Sequence, residues 1–377
     1  MEIPRIKTAF SYTREAKLAA MEIYEALGRP NDGLTIFFCS PFFDLDALAG
    51  GLRDCFRYAD VIGCTTAGEI TSIGYVDGAI CAVWLPGGDF ECVTEHVENL
   101  RLGQLEEVRR LVHALLRRKR NIEDTGWNTF GICLIDGIVG FEELVVDVLR
   151  RGLGETPLVG GSAGDAMRFR ETAIYHAGKF HTSALAVALI RSRRPFEVFA
   201  TQHFVSSNLK MVVTEADPQH RVVMEINAEP AASEYARLIG VSRRALSDAV
   251  FAMRPLAIRV GDNYFVRSIQ SVDDDDALKF YCAVDEGLVL TAAGPIDLID
   301  SLERLFGAIR NRIGEPEVVL AFDCLFRKIE VRQRGLEAQI ARLFGLNHVI
   351  GFSTYGEQFN ALHLNQTFTG IAIGKGS

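Results

Sequence analysis

Ile62-Gly63-Cys64-Thr65-Thr66-Ala67-Gly68-Glu69 recurs near the end of the chain as Ile350-Gly351-Phe352-Ser353-Thr354-Tyr355-Gly356-Glu357, with five of eight positions identical. A third copy, Leu158-Val159-Gly160-Gly161-Ser162-Ala163-Gly164-Asp165, lies between them, one residue shorter but with the same ending of small residues, glycine and acid. The surroundings repeat as well. An apolar run precedes each copy (TIFFC from Thr35, TFGICLI from Thr129, VVLAF from Val318), followed by an amphipathic stretch. These stretches carry Leu45, Leu48, Leu52 and Phe56, then Leu144 and Val148, then Leu336, Ile340 and Leu343, spacings that put the apolar side chains on one helical face.

One strand and one helix further upstream complete the pattern: KTAFSY before Ala16, Ala20, Ile23 and Leu27; FECVTEH before Leu105, Val108, Val112 and Leu115; LVLTA before Leu298, Leu302, Leu305 and Ile309. Thr13 reads as an N-cap, Pro295 as a first-turn proline and Gly28 as a C-cap. AICAVWL, ALAVALI and FTGIAI supply a last strand. The expected fold class is α/β: three β-α-β-α-β-β repeats, over about residues 6–86, 90–190 and 287–374, forming mixed sheets flanked by helices. An inserted antiparallel β-rich module occupies about residues 195–285. Its acidic run, Asp273 to Asp276, reads as a hairpin loop rather than a cation site, which needs interspersed ligands.

Composition narrows the function. Forty Lys and Arg against 49 Asp and Glu give a net charge of −9, which argues against a nucleic-acid partner, since that affinity rests on a basic face. The basic runs Arg117–Arg120 and Arg191–Arg194 are expected to be solvated element ends. The eight cysteines form no CxxC pair and mostly sit in apolar runs, as reduced core residues do, and no apolar run approaches the ~20 residues that cross a bilayer. A cytoplasmic location without membrane contact is the expectation.

In open α/β sheets ligands collect at the carboxyl ends of strands, which puts Cys39, Ser40, Asp136, Asp323 and Cys324 beside the Gly-Thr/Ser turns as rim candidates. The alternative is structural: glycines serving tight turns and hydroxyls capping backbone groups. Gly160–Gly164 matches G-x-S-x-G, but a nucleophile elbow needs a helix directly after the serine, and Met167 to His176 reads as the arm of a hairpin turning at Ala177-Gly178. Phosphate-binding glycine loops and zinc-protease histidine spacings do not occur. Of the eight histidines, His176 and His181 flank that turn and His363 falls in the matching hairpin of the third repeat. One imidazole suffices as a haem axial ligand; a hydrogen-bonded histidine is the plainer reading.

With these segments in view, the sequence resembles the FIST family of bacterial sensory proteins. The resemblance spans nearly the whole chain: VIGCTTAGEI with Gly74-Tyr75 and Asp77-Gly78, LVGGSAGD with His176 to His181, VVTEAD, INAEPAASEYA, and the ending GFSTYGEQFNALHLNQTFTGIAIG. It implies an N-terminal part, residues 1–195, and a C-terminal part, residues 196–377, that sense small ligands without catalysis. One branch of that family binds haem, senses nitric oxide and signals to a partner histidine kinase or cyclic-di-GMP enzyme. The stand-alone organisation and the hairpin histidines resemble that branch, with His181, or else His176, as proximal ligand. The competing expectation is an amino-acid or similar sensor without haem, its ligand held by Ser162, Asp165, Thr354, Tyr355, Glu357, His363 and Asn365, with Arg254 or Arg267 for a carboxylate. A hydrolase using Ser162 or Cys324 is the third reading. A homodimer is compatible with all three.

Overall fold

The computed structural model describes residues 5–103, 105–120, 127–273 and 275–376. Three six-stranded mixed sheets correspond to the three repeats. Each unit contributes an outer strand, a last strand and two parallel central strands, in the order Lys7–Ser11, Ile80–Leu85, Leu34–Cys39, Asp60–Thr65 for the first. The second reads Phe90–Val97, Leu185–Ser192, Asn128–Ile135, Leu158–Ser162, and the third Phe196–Thr201, Phe368–Gly374, Pro316–Cys324, Val349–Thr354.

No unit finishes its own sheet. The hairpin that leaves each motif crosses to a neighbour and adds the last two strands there. Glu69–Thr71 pairs with the third unit's Val349–Thr354, Glu357–Phe359 with the second unit's Leu158–Ser162, and Ile174–His176 with the first unit's Asp60–Thr65. The exchange is cyclic and closed. At its centre the motifs hydrogen-bond to one another through the backbone: Ala67 N–H to Ser353 O at 3.0 Å, Tyr355 N–H to Ser162 O at 3.1 Å, and Gly164 N–H to Thr65 O at 3.0 Å.

The glycine that stands second in the first and last motifs and third in the middle one has a steric reason to be glycine. Gly63, Gly160 and Gly351 face Phe37, Cys133 and Ala321 in the parallel ladders, and a Cβ would come within 2.6, 1.9 and 1.8 Å of those carbonyl oxygens. Any side chain would push the central strands apart.

One face of every sheet packs into a shared core that includes Ile36, Phe38 and Ile62 of the first unit, Ile132, Leu134 and Val159 of the second, and Leu320, Phe322 and Phe352 of the third. The other faces are covered by helices: Ala16–Ala26 and Leu45–Cys55; Glu106–Arg120 and Glu142–Leu153; Leu298–Ile313, Leu325–Gln333 and Glu337–Leu346. Among the described residues no helix is long and apolar enough to cross a membrane.

Several sequence expectations are corrected. The third unit takes its outer strand from Phe196–Thr201, while the LVLTA run forms Val289–Pro295 inside the eight-stranded antiparallel module. The module therefore interrupts the third unit between its outer strand and first helix, a placement invisible to pattern matching because both runs are equally apolar. In Glu142–Leu153 the buried face is Val145, Val146, Leu149 and Leu153, and Leu144 is 46% exposed; a nearly continuous apolar run left the helical phase ambiguous. Glu15, not Thr13, caps the first helix, and Asp297 rather than Pro295 starts the helix Leu298–Ile313. Arg191 and Arg194 are buried rather than solvated, Arg194 between Asp89 at 2.7 Å and Glu317. The other basic run ends its helix as expected, the Arg120 side chain lying outside the described residues. The acidic run is a hairpin loop in which Asp273 accepts N–H bonds from Asp275 and Ala277; Asp274 lies outside the described residues.

Phe352 stacks on Phe38 at 4.6 Å and meets Phe322 edge-on at 5.8 Å, joining two units across the central core. Phe352→Ala is expected to cost roughly 3–5 kcal/mol in urea unfolding. Leu144→Ala on the exposed helix face should stay within about 0.5 kcal/mol of the parent. Equal losses would remove the central core from its structural role.

Candidate functional site

Each exchanged hairpin is clasped at its neck by a buried carboxylate that binds both the entering and the leaving chain. Glu69 accepts from Thr66 Oγ1 at 2.6 Å and Ala79 N at 3.0 Å. Glu357 accepts from Thr354 Oγ1, Thr367 N at 3.1 Å and Thr367 Oγ1 at 2.8 Å. In the second unit Asp136 does this, taking Thr172 Oγ1 and Ser183 N, each at 2.6 Å. Asp165, the motif's own acid there, instead organises the longer loop that follows, accepting N–H bonds from Phe169, Arg170 and Glu171.

The nominated site residues consequently fall into separate places. Thr354 and Glu357 belong to a clasp. Tyr355 donates its hydroxyl to Asp165 and accepts from Met167 N, so this pair joins the second and third units. Ser162 is fully buried, and its Oγ accepts from the Gln358 amide at 2.9 Å, an amide where a hydrolase would need a base. Burial pushes the Cys324 thiol well up, the opposite of an activated nucleophile. Arg254 is exposed. Half-buried Arg267 lies beside Ser268, whose N–H reaches Asn365 Oδ1 at 3.4 Å, while His363 holds Gln358 through Nδ1 at 3.2 Å. The buried Gln358 Oε1, His363 Nε2 and Ser268 Oγ have no protein partner, which leaves hydrogen-bonding capacity enclosed where the third unit's hairpin meets the inserted module.

The inserted module also meets the second unit across a cleft of about 380 Å³. The strand-end loop Gly137–Gly140 forms one wall. Phe169, Phe280 and Tyr281 supply aromatic faces, and Arg221, Lys279 and Gln270 supply polar ends. Arg221 is fixed by Glu142 at 2.7 Å and by the Tyr281 carbonyl at 2.6 Å, whereas Lys279 is exposed. The cleft stands at the carboxyl ends of parallel strands, the place sequence reasoning assigned to a ligand, but its lining shares no residue with the nominated set. Only a knowledge of where the insert folds back would have found it.

The hairpin turn at Ala177-Gly178 forms as expected, both residues at positive φ. His176 and His181 lie beside His96, which the sequence had not singled out: His96 stacks on His176 at 4.4 Å and lies 5.0 Å from the His181 ring. Burial, then the neighbouring His96 and His181, push His176 down to about 4. Haem ligation needs an imidazole nitrogen facing an apolar slot. His181 instead has Glu98 3.3 Å from Nδ1 and the His176 carbonyl 3.3 Å from Nε2, and His176 has Thr94 Oγ1 3.1 Å from Nε2 with Nδ1 enclosed. In this arrangement the two histidines do not fit a haem iron.

Burial raises the Glu357 carboxyl to about 8 and Glu69 to about 7, outweighing the hydrogen bonds they accept. An acid that holds its proton more tightly when folded contributes stability that is full below its unfolded range near 4.5 and lost as pH rises to about 8. The stability that these two acids contribute is therefore expected to fall between pH 5 and pH 8, most plainly above pH 6.5, where the depressed His176 no longer opposes it. Glu357→Gln should flatten that slope by up to about 1.4 kcal/mol per pH unit. An unchanged slope would mean that Glu357 is ionised in the fold.

A FIST N domain matches residues 33–229 and a FIST C domain matches residues 231–360. No curated protein matches the chain. FIST domains are the sensory domains of signal-transduction proteins, and the cyclic three-unit architecture with its inserted module is the form that this chain gives them. By matches that cover most of its length, the chain belongs to the FIST family.

Proposed function

We propose that the chain senses a small carboxylate-bearing molecule of amino-acid size, bound in the cleft between the Gly137–Gly140 loop and the inserted module. The observation that carries this reading is the lining: aromatic faces of Phe169, Phe280 and Tyr281 beside the Lys279 cation and the Gln270 amide, in a volume suited to a small ligand. A ligand shifts a conformational balance only by binding one arrangement better than the other. A cleft whose walls belong to two modules meets that condition, because Phe280 and Tyr281 move with the insert and Gly137–Gly140 with the second unit. The insert's position then becomes the output, read by a partner of the kind the resemblance implies, a histidine kinase or cyclic-di-GMP enzyme in the cytoplasm.

Haem-based sensing of nitric oxide requires the His176 and His181 rings to leave their present partners. A saturable one-to-one haemin complex that binds nitric oxide and is lost in His181→Ala would replace the carboxylate reading with that one.

The direct test is a thermal-shift screen of amino acids and small carboxylates against the purified chain. A ligand that binds only the native state at a hundred times its Kd adds about 2.7 kcal/mol of stability. The expected result is a concentration-dependent rise in Tm with at least one such compound, reduced in both Lys279→Ala and Phe169→Ala. A compound that stabilises both variants as strongly as the parent binds elsewhere and sinks the assignment, as does a screen in which nothing shifts Tm.

A further inference from the structure

His96 and Glu98 stand two residues apart at the end of Phe90–Val97, a spacing that puts alternate strand side chains on one face. The exchanged hairpin brings His181 to the same place from the first unit's sheet. Glu98 Oε1 is 3.0 Å from His96 Nε2 and 3.3 Å from His181 Nδ1, and the three ligand atoms all lie within 4.8 Å of one another. Ligands bound at about 2.0–2.1 Å around a tetrahedral ion stand roughly 3.3 Å apart, so the two carboxylate–imidazole separations already have the span of a coordination edge. Small side-chain rotations suffice to centre an ion.

The donor set identifies the class of ion. Two imidazoles and one carboxylate suit zinc and its borderline neighbours, whereas calcium and magnesium take oxygen ligands. His96 and His181 are largely enclosed and Glu98 is half exposed, so an ion has a route in and water can complete the tetrahedron. The His176 carbonyl, 3.3 Å from His181 Nε2, is the kind of acceptor to which a metal-bound imidazole usually donates its other N–H. The His176 ring stacks on His96 at 4.4 Å and is itself held by Thr94 at 3.1 Å.

We propose that His96, Glu98 and His181 form a binding site for one divalent zinc-class cation, with water as the fourth ligand. The strand bearing His96 belongs to the second unit's sheet, and the hairpin bearing His181 belongs to the first unit's sheet. An ion here is a clamp on one of the three hairpin crossings. It is separate from the insert cleft and does not depend on what that cleft binds.

The test uses the full chain, stripped with a chelator, dialysed, and titrated with zinc chloride against a chromogenic competitor and by calorimetry. One zinc per chain is expected, with affinity at least about tenfold weaker in each of His96→Ala, Glu98→Gln and His181→Ala. His113→Ala, on the exposed face of Glu106–Arg120, should bind as the parent does. Circular dichroism of the metal-free variants separates lost ligation from lost fold, and Glu98→Gln, half exposed and nearly isosteric, keeps the test valid if a histidine variant fails to fold. X-ray absorption of the zinc complex should show a nitrogen and oxygen shell with imidazole outer scattering. Absence of saturable binding in the parent, or unchanged affinity in Glu98→Gln and His181→Ala, overturns the site and leaves a plain hydrogen-bonded His–Glu cluster.

Discussion

Three backbone hydrogen bonds, from Ala67 to Ser353, from Tyr355 to Ser162 and from Gly164 to Thr65, close a ring at the middle of this fold. Each runs from the turn of one motif to the strand end of the next unit, so the three turns can be satisfied only together. The hairpins that leave them inherit that dependence. A unit cut from its neighbours would expose the edge of its second parallel strand, together with a hairpin carrying apolar residues such as Ile70, Ile174 or Leu364. Exposed edges of this kind invite non-native pairing. Cyclic exchange covers each edge within the chain, and the clasps of Glu69, Glu357 and Asp136 tie every crossing where it leaves its unit.

This explains which parts of the structure the sequence made readable. The repeat, the unit order, the faces of the first helix and the hairpin at Ala177-Gly178 are local, and period and turn chemistry encode local features. The exchange is not local. Nothing in Glu357-Gln358-Phe359 says that it pairs with Val159-Gly160-Gly161 rather than with its own unit. In the sequence the acids and hydroxyls of the motif resemble ligand groups because they cluster near glycines at strand ends. In the fold they serve the crossings: burial and paired donors make Glu69 and Glu357 structural acids, and the fully buried Ser162 is satisfied by an amide. The histidine cluster was half legible, because His176 and His181 are neighbours on one hairpin, while His96 joins them only through contact between two sheets. The cleft was not legible in residue terms, since its walls lie in an insert and a loop more than a hundred residues apart in places.

The inserted module is rooted differently from the exchange. At its first residues His203 accepts from Arg327 through Nδ1 and faces Glu330 through Nε2, each at 2.6 Å, and Arg327 also pairs with Asp323 at 2.6 Å. Burial, reinforced by the Arg327 charge, pushes His203 down to about 4, consistent with a neutral ring that accepts on one side and donates on the other. These groups are buried, and a buried charge network left without one partner is costly, so the root is expected to act as a rigid joint.

The helix that carries the joint, Leu325–Gln333, is also the one that holds the first unit's hairpin. Lys328 and Arg332 both pair with Asp77, Lys328 donates to the Ala67 carbonyl at 3.0 Å, and Tyr75 donates to Asp323. One helix thus connects the root of the insert, a hairpin crossing and the central ring. Coupling of a remote site requires an element with two arrangements that both sites bias. A change in the insert's tilt cannot pass Arg327 and Glu330 without loading Lys328 and Arg332 on the same helix. In a structure whose sheets are completed by one another, displacement of that hairpin would be felt by the third unit's sheet and by the ring of turns.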